Sequence, residues 1–451
     1  MPNFINFYLY KLLPQMISQV IFILILIVAI VSFWRAVRRI ANNINLGRAL
    51  DIKDNPSERW KTMFMVAIGQ SKMVKRPLAG IMHILIYVGF IIINIEVLEI
   101  LIDGVLGTHR IFSFLGAFYT VLISAFEFLA VGVIIACVTF LLRRNVARLK
   151  RFWSREMTSW PRSDANIILI TEILLMIAFL MLDTSDTLIQ RATNVQYSGF
   201  TISNMLTPLL ANTSIPSLEF TEHFCWWFHI IGILAFLNYV PYSKHFHIIL
   251  AFPNVYYSNL KPKGEFTNLT SVTKEIRLML NPDLASGETA GAANAAPPER
   301  FGAKDVFDLS WKQLMDSYSC TECGRCTSSC PANQTGKLLS PRKIMMDTRD
   351  RLQEVGKNIA KNKKFVDDGK SLLNDYILPE EIWACTSCNA CTQECPVNID
   401  PLSIIVDIRR FLVMEQSAAP QEISMMLNNI ENNGAPWQFP ASDRLNWASG
   451  L

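Results

Sequence analysis

The sequence predicts an all-α protein in two parts, a five-helix transmembrane bundle followed by a helical soluble domain. Three observations carry that expectation. Apolar residues make up 51% of the 451 positions, and long apolar runs fill roughly the first 250, whereas the remainder reads as ordinary soluble protein. Eight of the ten cysteines lie in two tight groups in the last third of the chain. The soluble part shows three-to-four spacing of apolar residues over 340–352 and 402–414 and no convincing strand run.

Five segments are long and apolar enough to span a bilayer, which needs about 20 helical residues: 16–34, 80–102, 116–142, 165–182 and 224–250, the fourth being the shortest. The first is followed by Arg35, Arg38 and Arg39, not by a small-residue cleavage site, and reads as a permanent anchor. Connecting-loop charge sets the expected orientation. Residues 35–76 hold ten Lys/Arg against three Asp/Glu, 143–155 hold six Lys/Arg and no acid, and 183–222 hold one Arg and four acids. The positive-inside rule then leaves the N-terminus outside and delivers everything after about 251 to the cytoplasm, as expected for the inner membrane of a bacterium. The expected organisation is a membrane domain over 1–250, a connector over 251–300 with a flexible stretch from Ala285 to Pro298, a two-cluster domain over 301–420, and a tail over 421–451 suited to docking a partner.

The cysteines carry the strongest chemical signal. Cys320-x-x-Cys323-x-x-Cys326-x-x-x-Cys330-Pro331 is repeated as Cys385-x-x-Cys388-x-x-Cys391-x-x-x-Cys395-Pro396, and each copy leads into a helix. Cubane iron–sulfur clusters take thiolate ligands, and cysteines three apart wrap three corners of one cube. In two-cluster proteins the fourth cysteine of each run serves the other cluster. One 4Fe–4S cluster is therefore assigned to Cys320, Cys323, Cys326 and Cys395, the other to Cys385, Cys388, Cys391 and Cys330. Zinc sites use ligands in pairs, not two runs of four closed by Cys-Pro. Secreted disulfide frameworks are not spaced this way either, and Cys137 and Cys225 read as small buried apolar residues. The long gap between the motifs and the helical pattern resemble the all-helical ferredoxin domain of succinate dehydrogenase and heterodisulfide reductase subunits.

Six histidines are present: His83, His109, His223, His229, His245 and His247. His83 is expected just inside the cytoplasmic end of the second span. His229 and His247 are expected on one continuous fifth helix, five turns and about 27 Å apart on one face. Histidines at matched depth on two helices suit bis-histidine haem b ligation, and His83 and His247 form such a pair. A lone interfacial histidine would carry no such meaning, although ionisable groups at membrane depth are costly and often functional. The run from His229 through Pro241, Ser243 and Lys244 to His247 resembles the last helix of the nitrate reductase gamma subunit, and His83 resembles its cytoplasmic-side ligand. The outer-side ligand position falls at Ile93, where this sequence departs from that pattern. A second haem at His229 would need another partner, such as His109, His223 or a methionine.

Over 230–451, and more loosely before, the chain resembles electron-transfer-flavoprotein:menaquinone oxidoreductases, relatives of heterodisulfide reductase. The markers are PYSKHFH, NLKPKGEF, the two cysteine motifs with their flanks, the SPRK helix, and the tail NNGAPWQFPASDRLNWA. Full-length members continue into CCG domains, so the resemblance implies a CCG-containing partner subunit. It also implies a route from a cytoplasmic donor, such as electron-transfer flavoprotein, through two clusters and haem b to menaquinone, or the reverse route from quinol to a cytoplasmic disulfide. A haem-free membrane ferredoxin serving cofactor assembly or regulation is the alternative. Among intramembrane acids, Glu127 and Glu172 read as proton-path candidates, whereas Glu96, Glu99 and Asp183 are expected to snorkel near the outer ends. Trp226 and Trp227 fit an interfacial belt.

Overall fold

The computed structural model describes residues 2–194, 200–281 and 300–449. The flexible stretch expected over Ala285–Pro298 lies outside the described residues. Among them no β-strand forms, only isolated bridges between Arg48 and Ser310 and between Leu373 and Ile377. The chain divides into two compact units. The first comprises residues 1–42, 54–258 and 318–324; the second comprises 43–53, 259–317 and 325–451.

The first unit contains five helices long and apolar enough to cross a membrane, as expected: Met16–Ile44, Pro77–Leu106, Ala117–Val146, Ser159–Thr193 and Ile215–Tyr242. Their helical cores are α1 (Pro2–Ile44), α3 (Pro77–Leu106), α4 (Ala117–Leu141), α5 (Ser159–Thr193) and α7 (Ile215–Tyr239), with α2 (Pro56–Met63) and α6 (Ile202–Leu206) in the connections. The inward sides of α3, α4 and α5 close over Ile93, Ile123, Phe126 and Phe179, and α1 packs through Phe22 onto Ile100, Ile230 and Leu234. Leu24, Val28, Val121 and Phe128 face outward and are exposed, the arrangement of a bundle whose solvent is lipid. The fourth span, expected to be the shortest, is the longest. Polar residues such as Thr184, Ser185, Asp186 and Gln190 extend it, and they are buried against neighbouring helices where a hydropathy window reads them as loop.

The fifth span departs from expectation. Helix α7 ends at Tyr239, a short 3-10 turn covers Val240–Tyr242, and Ser243 is extended. A second 3-10 turn, Lys244–Phe246, then leads into α8 (His247–Tyr256). Pro241 supplies no backbone donor, and the Ser243 side chain accepts the His245 N–H in place of a helical bond. His229 and His247 therefore do not share one continuous helix, and the expected five-turn, 27 Å relation between them does not hold. Arg59 on α2 holds α8 in place. Its buried guanidinium donates to the carbonyls of Asp54, Tyr256 and Ser258 and to Asp54 Oδ1.

The second unit is built on the internal repeat. Each cysteine loop runs into a short helix, α9 (Arg325–Ser328) or α11 (Ala390–Glu394), and then a long one, α10 (Pro341–Asn362) or α12 (Pro401–Met414). Both long helices start in one way, with an N-cap side chain followed by proline at the first helical position. Ser340 accepts the Lys343 N–H, and Asp400 accepts the Leu402 and Ser403 N–H groups. The two short helices pack together, as do the two long ones. Buried Arg351 on α10 ties the repeat down through Asp305, Asp368 and the Lys370 carbonyl. Residues 43–53, expected to be part of the membrane domain, belong to this unit. The Arg48 N–H donates to Leu309 O, and the Trp311 indole donates to Leu50 O.

Candidate redox centres

The two cysteine loops share one backbone path. Glu322 and Gly324 in the first, and Ser387 and Asn389 in the second, occupy matched positions, and all four have positive φ, between 54° and 69°. Such left-handed residues turn successive N–H groups inward and make an anion-holding concavity of the kind found around iron–sulfur clusters. Backbone donors already reach sulfur: Ser387 N–H to Cys385 Sγ at 3.4 Å and Ile399 N–H to Cys395 Sγ at 3.3 Å. Burial pushes the Cys385 thiol up; the Ser387 N–H and Arg409 oppose that push, and Cys330 and Cys388 reinforce it. Cys330 thus lies within electrostatic reach of Cys385, as a crossed ligand set requires. Among the described residues, no three His, Cys, Asp or Glu side chains gather closely enough for a single metal ion. A cubane is gripped at separate corners and does not need such a gathering. All eight cysteines are free of disulfides, so the thiol sets fit two 4Fe–4S clusters.

Each loop is also anchored by a cation at the same matched position. Arg409 on α12 donates to the carbonyls of Ile382 and Cys385 and to Ser387 Oγ, and stacks over Trp383. Glu322 receives Lys244 Nζ at 2.5 Å, with both side chains buried. Lys244 also donates to the Pro161 carbonyl, its N–H goes to Asp164 Oδ2, and Tyr239 bonds to Asp164 Oδ1. Burial presses the Lys244 ammonium down, and Glu322 and Asp164 oppose that push. Neither Lys244, Glu322 nor Asp164 was picked out from the sequence as a site residue, because their partners are far apart in the chain.

Three residues beyond Lys244 stands His247, whose ring faces that of His83 with centroids 6.4 Å apart at 43°. Two imidazoles bound to one metal at about 2 Å each, with each ring centre roughly 1 Å behind its nitrogen, have centroids about 6 Å apart. His247 Nδ1–H donates to the Lys244 carbonyl at 3.0 Å, which leaves Nε2 available to a metal. Burial pushes the His247 imidazole down, opposed by that bond, and so favours the neutral form a metal takes. The pair fits a bis-histidine haem. His245, given no role from the sequence, packs edge-on to His247 at 5.6 Å. Burial, with His247 and His83 as further charges, pushes it down to about 3.

The other histidines are not brought to this pair. His229 is buried, donates Nδ1–H to Leu175 O at 3.0 Å and packs on Phe179. His109 pairs with Glu222 at 3.6 Å, and His223 lies near the start of α7. Ile93 is a buried core residue.

Expectations about four of the acids are corrected. Glu96, Glu99 and Asp183 do not snorkel; all are buried, at 3%, 3% and 0% exposure. Glu99 accepts from Tyr119 Oη and the Phe112 N–H, and Asp183 accepts from Arg110 at 2.6 Å. Glu127 is not a free proton carrier, because both its oxygens are occupied by the N–H groups of Thr201, Ile202 and Ser203. Glu172 is half-buried on α5.

Comparison with known proteins bears on the cysteine loops and on the chain as a whole. Residues 316–399 match the 4Fe-4S dicluster domain. The probable iron-sulfur-binding oxidoreductase FadF of Bacillus subtilis is 28% identical over 95% of this chain and 60% of its own length. The EtfAB:quinone oxidoreductase of Syntrophomonas wolfei is 26% identical over 87% of this chain and 54% of its own. The chain thus spans a little over half the length of these two relatives. A probable membrane-anchored ferredoxin of Chromohalobacter salexigens is 32% identical over 34% of this chain and 24% of its own. One of the CoB-CoM heterodisulfide reductase subunits of Methanosarcina acetivorans is 34% identical over 26% of this chain and 60% of its own. No solved structure matches. With its two cysteine loops and five membrane-length helices, the chain carries a 4Fe-4S dicluster domain and is similar over most of its length to iron–sulfur and electron-transfer-flavoprotein:quinone oxidoreductases.

Proposed function

We propose that the chain passes electrons between a cytoplasmic donor and the quinone pool, with two 4Fe–4S clusters in its cysteine loops and a haem b between His83 and His247. The observation that carries this reading is the Lys244–Glu322 bond. It fastens the Cys320–Cys323 loop to the segment bearing His247, so the two redox centres are held by adjoining residues. A haem held by the two imidazoles would take and release single electrons. The chain's own residues set the terms of that exchange. Lys244 fixes the loop, the Lys244 carbonyl orients His247, and the sulfur-directed N–H groups tune the clusters.

Cys388 is exposed whereas Cys320 is buried, which favours entry of electrons from a partner at the second cysteine loop. The partner we infer is a CCG-domain subunit, with electron-transfer flavoprotein as a further donor. The exposed Met425, Leu427, Ile430, Trp437, Phe439 and Trp447 of the tail suit its docking. Menaquinone is the inferred quinone, the bacterial inner membrane the inferred location, with the N-terminus outside and the cluster domain in the cytoplasm. The same parts would also run from quinol to a cytoplasmic disulfide. A second haem at His229 is the weaker proposal, since the residues packed on it are Leu175 and Phe179.

The test is a dithionite-reduced minus air-oxidised spectrum of the detergent-purified protein, with haem, iron and sulfide quantified. Stoichiometric haem b, lost in His83→Ala and in His247→Ala with the iron and sulfide retained, is the expected result. Two clusters without haem would overturn this reading in favour of the haem-free membrane ferredoxin.

A further inference from the structure

Away from the histidine pair, the bundle buries a second polar centre. On α3, α4 and α5, Glu96, Glu127 and Asp183 each lie ten residues from the helix end that meets the 107–116 or 194–214 connection. That places all three at one depth, about 15 Å in from those ends and, along α3, about 20 Å from His83. Arg110 reaches down to this level and grips Asp183 at 2.6 Å and Asp186 at 2.7 Å. The backbone of residues 200–203 reaches the same depth, where its N–H groups end on Glu127 and Thr201 Oγ1 meets Ser124 Oγ at 2.9 Å. Irregular backbone at such depth is tolerated where it is enclosed by protein or lines a polar cavity.

Most acids here are provided for. Glu99 has Tyr119 and the Phe112 N–H, Asp103 has Thr108 and the Ile111 N–H, and Asp183 and Asp186 have Arg110. Glu96 is the exception. It is 3% exposed, and its buried Oε2 has no hydrogen-bond partner. The charged groups around it are Asp183, Arg110, Glu99 and Glu127. Asp183 Oδ2 and the fully buried hydroxyls of Ser185 and Ser203 are also without partners. A carboxylate with a buried oxygen that has no donor, facing three other acids and sharing a single guanidinium that two aspartates already hold, is costly at this depth; a carboxylic acid is not.

We propose that Glu96 is a buried proton-binding site, which takes up and releases a proton as electrons enter or leave the quinone. The functional half of this rests on the quinone reading above. Quinone takes two electrons and two protons to become quinol, and oxidation returns them; Glu96 relays one of those protons, with the Asp183 carboxyl beside it as the next acceptor. Arg110 is a positioning residue that holds the Asp183 carboxyl in place.

Redox-induced infrared difference spectra of the detergent-purified protein, taken in H2O and D2O, test the site. The expected result is a deuterium-sensitive carboxylic-acid C=O band in the wild type that is missing from Glu96→Gln and present again, shifted, in Glu96→Asp. A band that persists in Glu96→Gln, or none in the wild type, overturns the site. Reduction of the chain by a water-soluble menaquinol analogue, followed by its visible spectrum, tests the role. Glu96→Gln should slow it by roughly a hundredfold while reduction by dithionite is unchanged, which also shows that the variant is folded. An unchanged rate in a variant that has lost the band overturns the relay but leaves the quinone reading standing. A wild type that shows the band and reacts with no quinol overturns the quinone reading and leaves the proton site.

Discussion

Lys244 and Arg409 are the residues on which the two cysteine loops hang, and they separate the loops experimentally. Lys244→Met keeps the apolar stem but leaves buried Glu322 without its cation, so negative charge beside the Cys320–Cys323 loop is no longer balanced. The cluster of that loop should then be harder to reduce, by on the order of tens of millivolts, with Lys244→Arg close to wild type. Arg409→Met should do the same to the other cluster, because it removes the guanidinium from the Cys385 and Ile382 carbonyls. Redox titration followed by electron paramagnetic resonance reads both. Each variant is expected to move one of two signals, and a variant that moves both or neither would break the one-cation, one-loop assignment. That His83 and His247 come together was expected from the motif around Pro241 and Ser243. Lysine as a link was not, because the Glu322 it holds lies 78 positions away and in a loop already accounted for by its cysteines.

At the scale of elements, the histidine pair depends on a broken helix. With α7 continued, His247 would be placed by helical geometry alone; with the break, it is placed by α8, and α8 is latched by Arg59. Arg59→Met is therefore expected to lower the haem content of the purified protein without touching either imidazole, a loss measured against iron and sulfide in the same sample. In the second unit, Gly47 passes so close to residues 309–311 that a Cβ there would meet Trp311 N at 2.6 Å and Ser310 C at 2.8 Å. These are backbone atoms with no rotamer to change. Gly47→Ala should accordingly lower the temperature at which the cluster absorption is lost on heating, and Arg351→Met should lower it further, since breaking a buried ion pair costs about 3 kcal/mol or more.

For the molecule as a whole, the charge of the connections predicts the sidedness. Engineered cysteines in the 107–116 connection should react with a membrane-impermeant maleimide in intact cells, and those in 143–155 only after the membrane is opened; the reverse pattern would invert the topology. The sequence by itself determined the five spans and the two cluster loops, because both rest on local chemistry: about 20 apolar residues to cross a bilayer, and cysteines three apart to wrap a cube. It also determined the repeat, since each long helix carries its own cap and proline. Only the tertiary structure decided that the fifth span breaks before His247, that residues 43–53 pack with the cluster domain, and that Glu96, Glu99 and Asp183 are enclosed and not snorkelling. The physical reason is common to all three. Hydropathy records what a residue would prefer of its solvent, whereas the cost of a buried carboxyl or an interrupted helix depends on which distant donors, such as Arg110, Tyr119 and Arg59, the fold brings to it.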